Sequence, residues 1–165
     1  MHEALRQLGE IRPLDDPVLI GALTGFTDSS GAALTAIDHL VEVWDAEPLA
    51  EIESETFFDF TVQRPRVALE DGERVIHWPE NRFYVARPSG ATRDFLLLSG
   101  IEPHLRWRQF TGLIADVAEA VGSTTSITLG AQPAGVPHTR PVPVSLSASD
   151  TSFEELFGLK APASR

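Results

Sequence analysis

A stiff, polar loop stands near the end of the sequence. The stretch "VPHTRP", residues 136–141, encloses His138, Thr139 and Arg140 between two prolines. Histidine transfers protons near neutral pH, and arginine binds carboxylates and phosphates through paired hydrogen bonds. Because proline restricts the folded and the unfolded backbone alike, the loop orders these side chains at a reduced entropic cost. The residue types predict recognition of either a small ligand or a protein partner.

Two further polar segments follow apolar runs. "TGFTDSSG" contains Asp28 and Ser29, and "SGIEP" contains Ser99, Gly100 and Glu102. Asp28 and Ser29 are expected either to bind an anion at a helix N-terminus or to cap that helix. Glu102 is expected to act either as a general acid or base or as a favourable charge beside a helix dipole.

The loop and the other histidines also have structural interpretations. The ring of His138 is equally suited to a hydrogen bond with the backbone, and Arg140 to an ion pair with Glu102 or Asp28. His39 and His77 are interpreted as packing or surface residues. The five histidines show no ligand pair at helical or hairpin spacing, so neither a metal site nor a cofactor is predicted.

Apolar periodicity predicts the elements that position these residues. Apolar runs predict fully buried strands over 17–23 and 93–98, and further strands are predicted over 49–52 and 124–129. Helical spacing predicts one helix from about 30 to 45 and a second that has Pro103 in its first turn and ends at Gly122. The first helix should connect two parallel strands by a right-handed crossover.

Other segments predict antiparallel or terminal structure. The Asp-Gly pair at 71–72 predicts a hairpin over 66–78, followed by a strand over 81–88. "PVPVSLSAS", 141–149, is interpreted as a final strand, and "SFEELFG" as a short helical turn. We divide the chain into an N-terminal extension (1–16), one α/β domain (17–149) and a tail (150–165).

Strands alternating with helices predict a three-layer α/β/α fold with a mainly parallel sheet plus an antiparallel hairpin. Ligands of such sheets bind outside the carboxyl ends of the strands. The loops that follow strands 17–23, 93–98 and 124–129 are therefore expected at one edge. This edge, here called the rim, would collect the polar residues Asp28, Ser29, Ser99, Glu102, His138 and Arg140.

Composition excludes several classes of protein. The 165 residues carry a net charge of −11, which opposes contact with the phosphates of nucleic acid. No apolar run approaches the roughly 20 residues of a membrane span, and the first 16 residues lack the apolar stretch of a signal peptide. Cysteine is absent, and the single lysine, Lys160, excludes Schiff-base chemistry from residues 1–159. We expect a cytoplasmic protein.

Three segments together resemble the proteasome assembly chaperone 2 family, in particular actinobacterial members of unassigned function. They are "LIGALTGFTDSSGAALTAIDHL", "FLLLSGIEPHLRW" and "VPHTRPVPV", within residues 17–149. The resemblance implies an α/β/α fold similar to the phosphorylase and hydrolase-like fold, and a proteasome-related role in assembly. Family members extend further, so a shortened chain is expected. The ending "APASR" does not fit the hydrophobic-tyrosine ending by which archaeal relatives dock.

Two functions follow from these observations. The favoured hypothesis is a non-enzymatic assembly or adaptor protein with a protein partner, in which proteasome subunits are the implied class. The alternative is a hydrolase or nucleoside-phosphorylase-like enzyme that uses the rim, although no G-x-S-x-G nucleophile motif is present. Aromatic residues in the irregular middle, Phe57, Phe58 and Trp78, predict exposed apolar surface and hence a homo-oligomer.

Overall fold

Residues 2–158, which the computed structural model describes, form eight strands and three helices. The strands are β1 (Leu5–Gln7), β2 (Val18–Thr24), β3 (Glu47–Ile52), β4 (Arg66–Glu70), β5 (Glu73–His77), β6 (Asn81–Ala86), β7 (Phe95–Ile101) and β8 (Thr125–Leu129). The helices are α1 (Ala32–Val43), α2 (Trp107–Val121) and α3 (Thr151–Phe157). No helix in this part of the chain is long and apolar enough to cross a membrane.

The main sheet is mixed, and the prediction of a mainly parallel sheet was wrong. Its strand order is β1-β3-β6-β7-β2-β8, with parallel pairing of β7, β2 and β8 and antiparallel pairing across the other half. Residues 87–94 connect β6 to β7, a segment too short for the dozen or more residues that a parallel crossover needs. Because β6 and β7 are neighbours in the sheet, they therefore run antiparallel.

The parallel half confirms that three predicted strands are neighbours. β2 pairs with β7 over its whole length and with β8 from Val18 to Ala22. The loops that follow these strands consequently leave the same edge of the sheet. β3 also runs parallel to β2, as predicted, but β7 and β6 lie between them, and the unpredicted β1 covers its outer side.

Two clusters of buried side chains stabilise the sheet. Phe110, Leu113, Val117 and Val121 of α2 pack in one cluster with Leu96 and Leu98 of β7. Ala33 and Ile37 of α1 pack in the other with Leu97. Alternate residues of a strand point to opposite faces of a sheet, so β7 contributes to both clusters.

The start of α2 differs from the prediction that Pro103 occupies its first turn. The helix begins at Trp107, after Arg106 in a left-handed conformation (φ 53°). The backbone N–H groups of His104 and Leu105 both donate to the carbonyl of Phe57, at 2.9 and 3.0 Å. These bonds to a distant segment hold residues 104–105 outside the helix. Gly122, with φ 83°, ends α2 as predicted.

Two aromatic residues predicted to be exposed are buried. Phe57 packs edge-on against Phe110 with ring centroids 5.4 Å apart, and Phe58 packs against His104 at 5.8 Å. These rings complete the core because they fill space beside α2. Trp78 differs, because it contacts Phe60 at 5.0 Å and stays 47% exposed.

Strands β4 and β5 form the predicted hairpin as a separate two-stranded sheet. Asp71 (φ 51°) and Gly72 (φ 86°) both have positive φ, as a two-residue type I′ turn requires. The hairpin prediction is confirmed.

The chain divides into two compact units, Met1–Pro133 and Ala134–Arg165. In the second unit, residues 141–149 are not a strand, contrary to the prediction. Pro141 and Pro143 lack the N–H donors that a strand ladder needs, and Val142 and Val144 are exposed. The short helix predicted in this region is α3. The ending "APASR" lies outside the described residues.

Removal of an aromatic ring from the core should lower the free energy of unfolding far more than removal of one from the surface. We expect Phe110→Ala to lower the free energy of unfolding by about 3–5 kcal/mol, since the ring is fully buried. Phe26→Ala also removes a phenylalanine ring, but from an exposed position, and should change the free energy of unfolding by less than about 0.5 kcal/mol. Urea unfolding of both variants makes the comparison, and equal losses would contradict the packing described.

Candidate functional site

An open cleft of about 740 Å³ lies at the rim, where β2 and β7 end. The residues that line it come from the last residues of β2 and β7, the β2–α1 loop, the segment between β7 and α2 and the first residue of α2, with Gln63 from the middle of the chain. They are Thr24, Gly25, Phe26, Asp28, Ser29, Ser30, Gly31, Gln63, Ile101, Glu102, Pro103, His104 and Trp107. Three of the predicted residues, Asp28, Ser29 and Glu102, therefore line one cleft.

The carboxylate of Glu102 organises the β2–α1 loop. It accepts hydrogen bonds from the N–H of Phe26 (2.8 Å), the N–H of Thr27 (3.0 Å) and the hydroxyl of Thr27 (2.6 Å). The loop approaches so closely that a Cβ at Gly25 would lie 2.5 Å from a carboxylate oxygen. Glycine is required there because a larger residue would displace Glu102.

The carboxylate of Asp28 caps α1. It is buried and accepts hydrogen bonds from the N–H groups of Ala33 (3.2 Å) and Leu34 (2.9 Å). These groups belong to the helix N-terminus, where an external anion would otherwise bind. The capping interpretation of Asp28 therefore accounts for its position, while Ser29 beside it is exposed.

Hydrogen bonding also sets the ionisation of Glu102. Partial burial raises its pKa, but the bonds from the Thr27 hydroxyl and from the two backbone N–H groups outweigh burial and lower it below the ordinary value. The group is thus held as a carboxylate at neutral pH. A general acid needs a proton to donate, so this environment disfavours that role.

The cleft presents two aromatic side chains. Phe26 is 81% exposed and Trp107 is 49% exposed. The backbone of Phe26 is fixed on both sides, because its N–H donates to Glu102 and its carbonyl accepts from Nε2 of Gln132 at 3.2 Å. An exposed ring on a fixed backbone loses little additional freedom when it binds a partner.

Ser99 and Gly100 do not line the cleft and make other contacts. The hydroxyl of Ser99 donates to Asp38 of α1 at 2.6 Å. Gly100 faces Asn81, whose side-chain oxygen occupies the space that a Cβ at that position would need. The same oxygen accepts a 2.7 Å hydrogen bond from the N–H of Ile101. Both residues therefore have structural contacts next to the rim.

The remaining predicted residues belong to the second unit. His138, Thr139 and Arg140 are exposed, and the N–H of Arg140 donates to the carbonyl of Pro137 at 3.0 Å. Their participation in the site stays a prediction. His39 is exposed on α1, and His77 on β5 forms a 2.6 Å contact with Glu70.

The sequence did not reveal Phe26 and Trp107 as residues of the cleft. Phe26 occurs in a polar loop segment, and Trp107 occurs in a predicted amphipathic helix, where an aromatic residue suggests burial. The glycine before Phe26 was the available signal, because it marks a close approach of the backbone. The carboxylate that the loop approaches belongs to Glu102, which lies 76 residues from Phe26 in the sequence.

Comparisons with known proteins agree with the fold. A PAC2 family profile matches residues 22–164. A crystal structure of a PAC2 family protein from Streptomyces avermitilis is 39% identical, with a TM-score of 0.83 over 91% of this chain and 64% of that one. A proteasome-assembly chaperone homologue of Mycobacterium tuberculosis is 38% identical, with a TM-score of 0.80 over 90% of this chain and 63% of that one.

A further Mycobacterium tuberculosis protein, of unknown function, is 29% identical, with a TM-score of 0.85 over 99% of this chain and 58% of that one. The chain thus spans less than two thirds of the length of these relatives. No protein with a curated description matches it. The profile match and the similarity of sequence and fold show that the chain belongs to the PAC2 family, the proteasome assembly chaperone 2 family.

Proposed function

We propose that this chain is a non-enzymatic, protein-binding member of the family with a chaperone-like role, and that the rim cleft holds a segment of its partner. One observation carries the proposal: Phe26 is exposed while both of its backbone groups are hydrogen-bonded within the chain. Trp107 is a second exposed aromatic residue in the same cleft, and aromatic residues are enriched among those that dominate the energetics of protein interfaces.

The engagement of the two cleft carboxylates supports binding over catalysis. Asp28 and Glu102 each satisfy backbone N–H groups, and the pKa of Glu102 is lowered. A hydrolase or phosphorylase-like enzyme would need a group free to transfer a proton at this rim. The arrangement favours a cleft that recognises apolar side chains.

Proteasome subunits are the partner class to test first, because one similar structure is described as a proteasome-assembly chaperone homologue. We place the protein in the cytoplasm, in keeping with such a role. The net charge of −11 argues against nucleic acid as a partner.

We propose in addition that His138, Thr139 and Arg140 contribute to recognition, and that the protein forms a homo-oligomer.

We also propose the three-layer α/β/α architecture of the phosphorylase-like folds. Support comes from the division of the core into two clusters, one with α2 and one with α1. Leu96 and Leu98 belong to the first cluster and Leu97 to the second, as expected if the helices cover opposite faces.

Binding should depend on the two cleft aromatics. We expect Phe26→Ala and Trp107→Ala each to weaken binding to purified Mycobacterium tuberculosis proteasome subunits by tenfold or more, equivalent to about 1.4 kcal/mol. Val62→Ala is the matched control, because Val62 is exposed and does not line the cleft. Isothermal titration calorimetry or co-sedimentation measures the change.

The melting temperature of the same protein, measured with added ligands, distinguishes the enzymatic alternative from protein binding. If the proposal holds, phosphate and nucleosides should leave the melting temperature unchanged. The backbone N–H groups that could bind an anion already donate to the carboxylates of Asp28 and Glu102. Stabilisation by a nucleoside or phosphate, together with no binding of the subunits, would contradict the protein-binding proposal.

Glu102 should confer stability that depends on pH. Its folded-state pKa is depressed, so its contribution is complete above its ordinary pKa of 4.5 and is lost as the pH falls through the lower folded value. Glu102→Gln should therefore lower the urea midpoint at pH 7, and the difference from the wild type should shrink below pH 4.5. A difference that is the same at pH 7 and pH 3 would contradict this role.

A further inference from the structure

The β4–β5 hairpin has an apolar face that is open to solvent. Val67 and Leu69 of β4 and Ile76 of β5 alternate with other residues along the strands, so their side chains share one face, and Trp78 follows β5 directly. The four residues are 47–72% exposed. An isolated two-stranded hairpin is only marginally stable in water. Within residues 2–158, the backbone hydrogen bonds of β4 run only to β5, which leaves its other edge open.

The turn geometry identifies which backbone groups are on that open edge. Glu70 and Glu73 flank the two-residue turn and form a hydrogen-bonded pair, and bonded and non-bonded pairs alternate from there. Ala68 therefore bonds toward β5. The N–H and C=O groups of Val67 and Leu69 point outward and are available to another strand.

The sequence of β4 is complementary to itself. Arg66 and Glu70 lie two residues on either side of Ala68, and Val67 and Leu69 lie one residue on either side. When two such strands run antiparallel about Ala68, Arg66 faces Glu70 of the second copy and Val67 faces Leu69. Among antiparallel pairings of residues 66–70, this register alone sets Arg66 opposite Glu70.

The backbone permits the same register. Val67 and the Leu69 of a second copy both direct their backbone groups outward, so they can exchange hydrogen bonds. Ala68 then falls on the two-fold axis in a non-bonded pair, where Cα atoms approach to about 4.5 Å. A small side chain suits this closest approach. Side-chain charge, apolar pairing and backbone direction thus agree on one arrangement.

We propose that β4 of one chain pairs antiparallel with β4 of a second copy, about a two-fold axis at Ala68, and joins the two hairpins into a four-stranded sheet. This specifies the self-association proposed above and uses a surface separate from the rim cleft. The outer edge of β5 is less suited, because in a pairing about Val75 the charged Arg74 would face the apolar Ile76 of the second copy.

Charge reversal tests the register in the intact chain. Sedimentation equilibrium should show a reversible dimer of the 18.0 kDa chain. Arg66→Glu and Glu70→Arg should each weaken the dimer about tenfold, because each puts two like-charged pairs across the axis. The double variant restores opposite charges at both pairs and should return the dissociation constant to within about threefold of the wild type.

A cysteine at the axis provides an independent readout. The chain contains no cysteine, so Ala68→Cys introduces a single thiol, and two copies should form a disulfide on mild oxidation. Val75→Cys is the matched control, since Val75 pairs with Ala68 on β5, is equally half-buried and lies off the axis.

Three results would overturn the proposal. They are a wild-type chain that stays monomeric up to about 100 µM, a dimer that is insensitive to both charge reversals, and cross-linking of Val75→Cys as fast as that of Ala68→Cys. Loss of subunit binding in the Phe26 and Trp107 variants with an intact dimer would leave it standing, so the two proposals succeed or fail separately.

Discussion

The rim of this protein depends on how the chain satisfies the backbone N–H groups of the loop that leaves β2. The carboxylate of Glu102, at the end of β7, accepts the N–H groups of Phe26 and Thr27, and its own N–H donates to the carbonyl of Thr24 at 2.8 Å. The parallel pairing of β2 and β7 makes this approach possible. Asp28 follows directly and caps α1. The two carboxylates thus determine the direction of the loop and the start of the helix.

The proposed protein-binding role is consistent with a cleft whose two carboxylates are already hydrogen-bonded within the chain. Carboxylates that hold backbone N–H groups are constrained in position, and hydrogen bonding lowers the pKa of Glu102. The same hydrogen bonds fix the backbone of Phe26 and leave its ring exposed. A rigid aromatic residue suits recognition of a protein segment, because little conformational entropy is lost on binding. The hairpin offers a second surface, formed by a different physical feature: an open strand edge with a self-complementary sequence.

The sequence predicted what depends on local pattern and missed what depends on distant contacts. The continuous apolar runs of β2 and β7, the helical spacing of α1 and the turn of the hairpin were all legible in the residues. The start of α2 was not, because the carbonyl of Phe57 binds residues 104 and 105 from more than 40 positions away. The mixed sheet depended on which strands become neighbours. Asp28 and Glu102 were identified as residues of the rim, and helix capping was one of the two roles expected of Asp28. The acceptor role of Glu102 toward the β2–α1 loop and the exposure of Phe26 required the fold.

Amide hydrogen exchange measured by NMR tests the central claim most directly, because it reports on the individual N–H groups that the two carboxylates accept. We expect slowed exchange at Phe26, Thr27, Ala33 and Leu34 in the wild type. Glu102→Ala should release the first two of these amides and Asp28→Ala the last two, while the amides of β7 stay protected. Rapid exchange of all four amides in the wild type, or protection that survives loss of both carboxylates, would contradict the structural role assigned to Asp28 and Glu102.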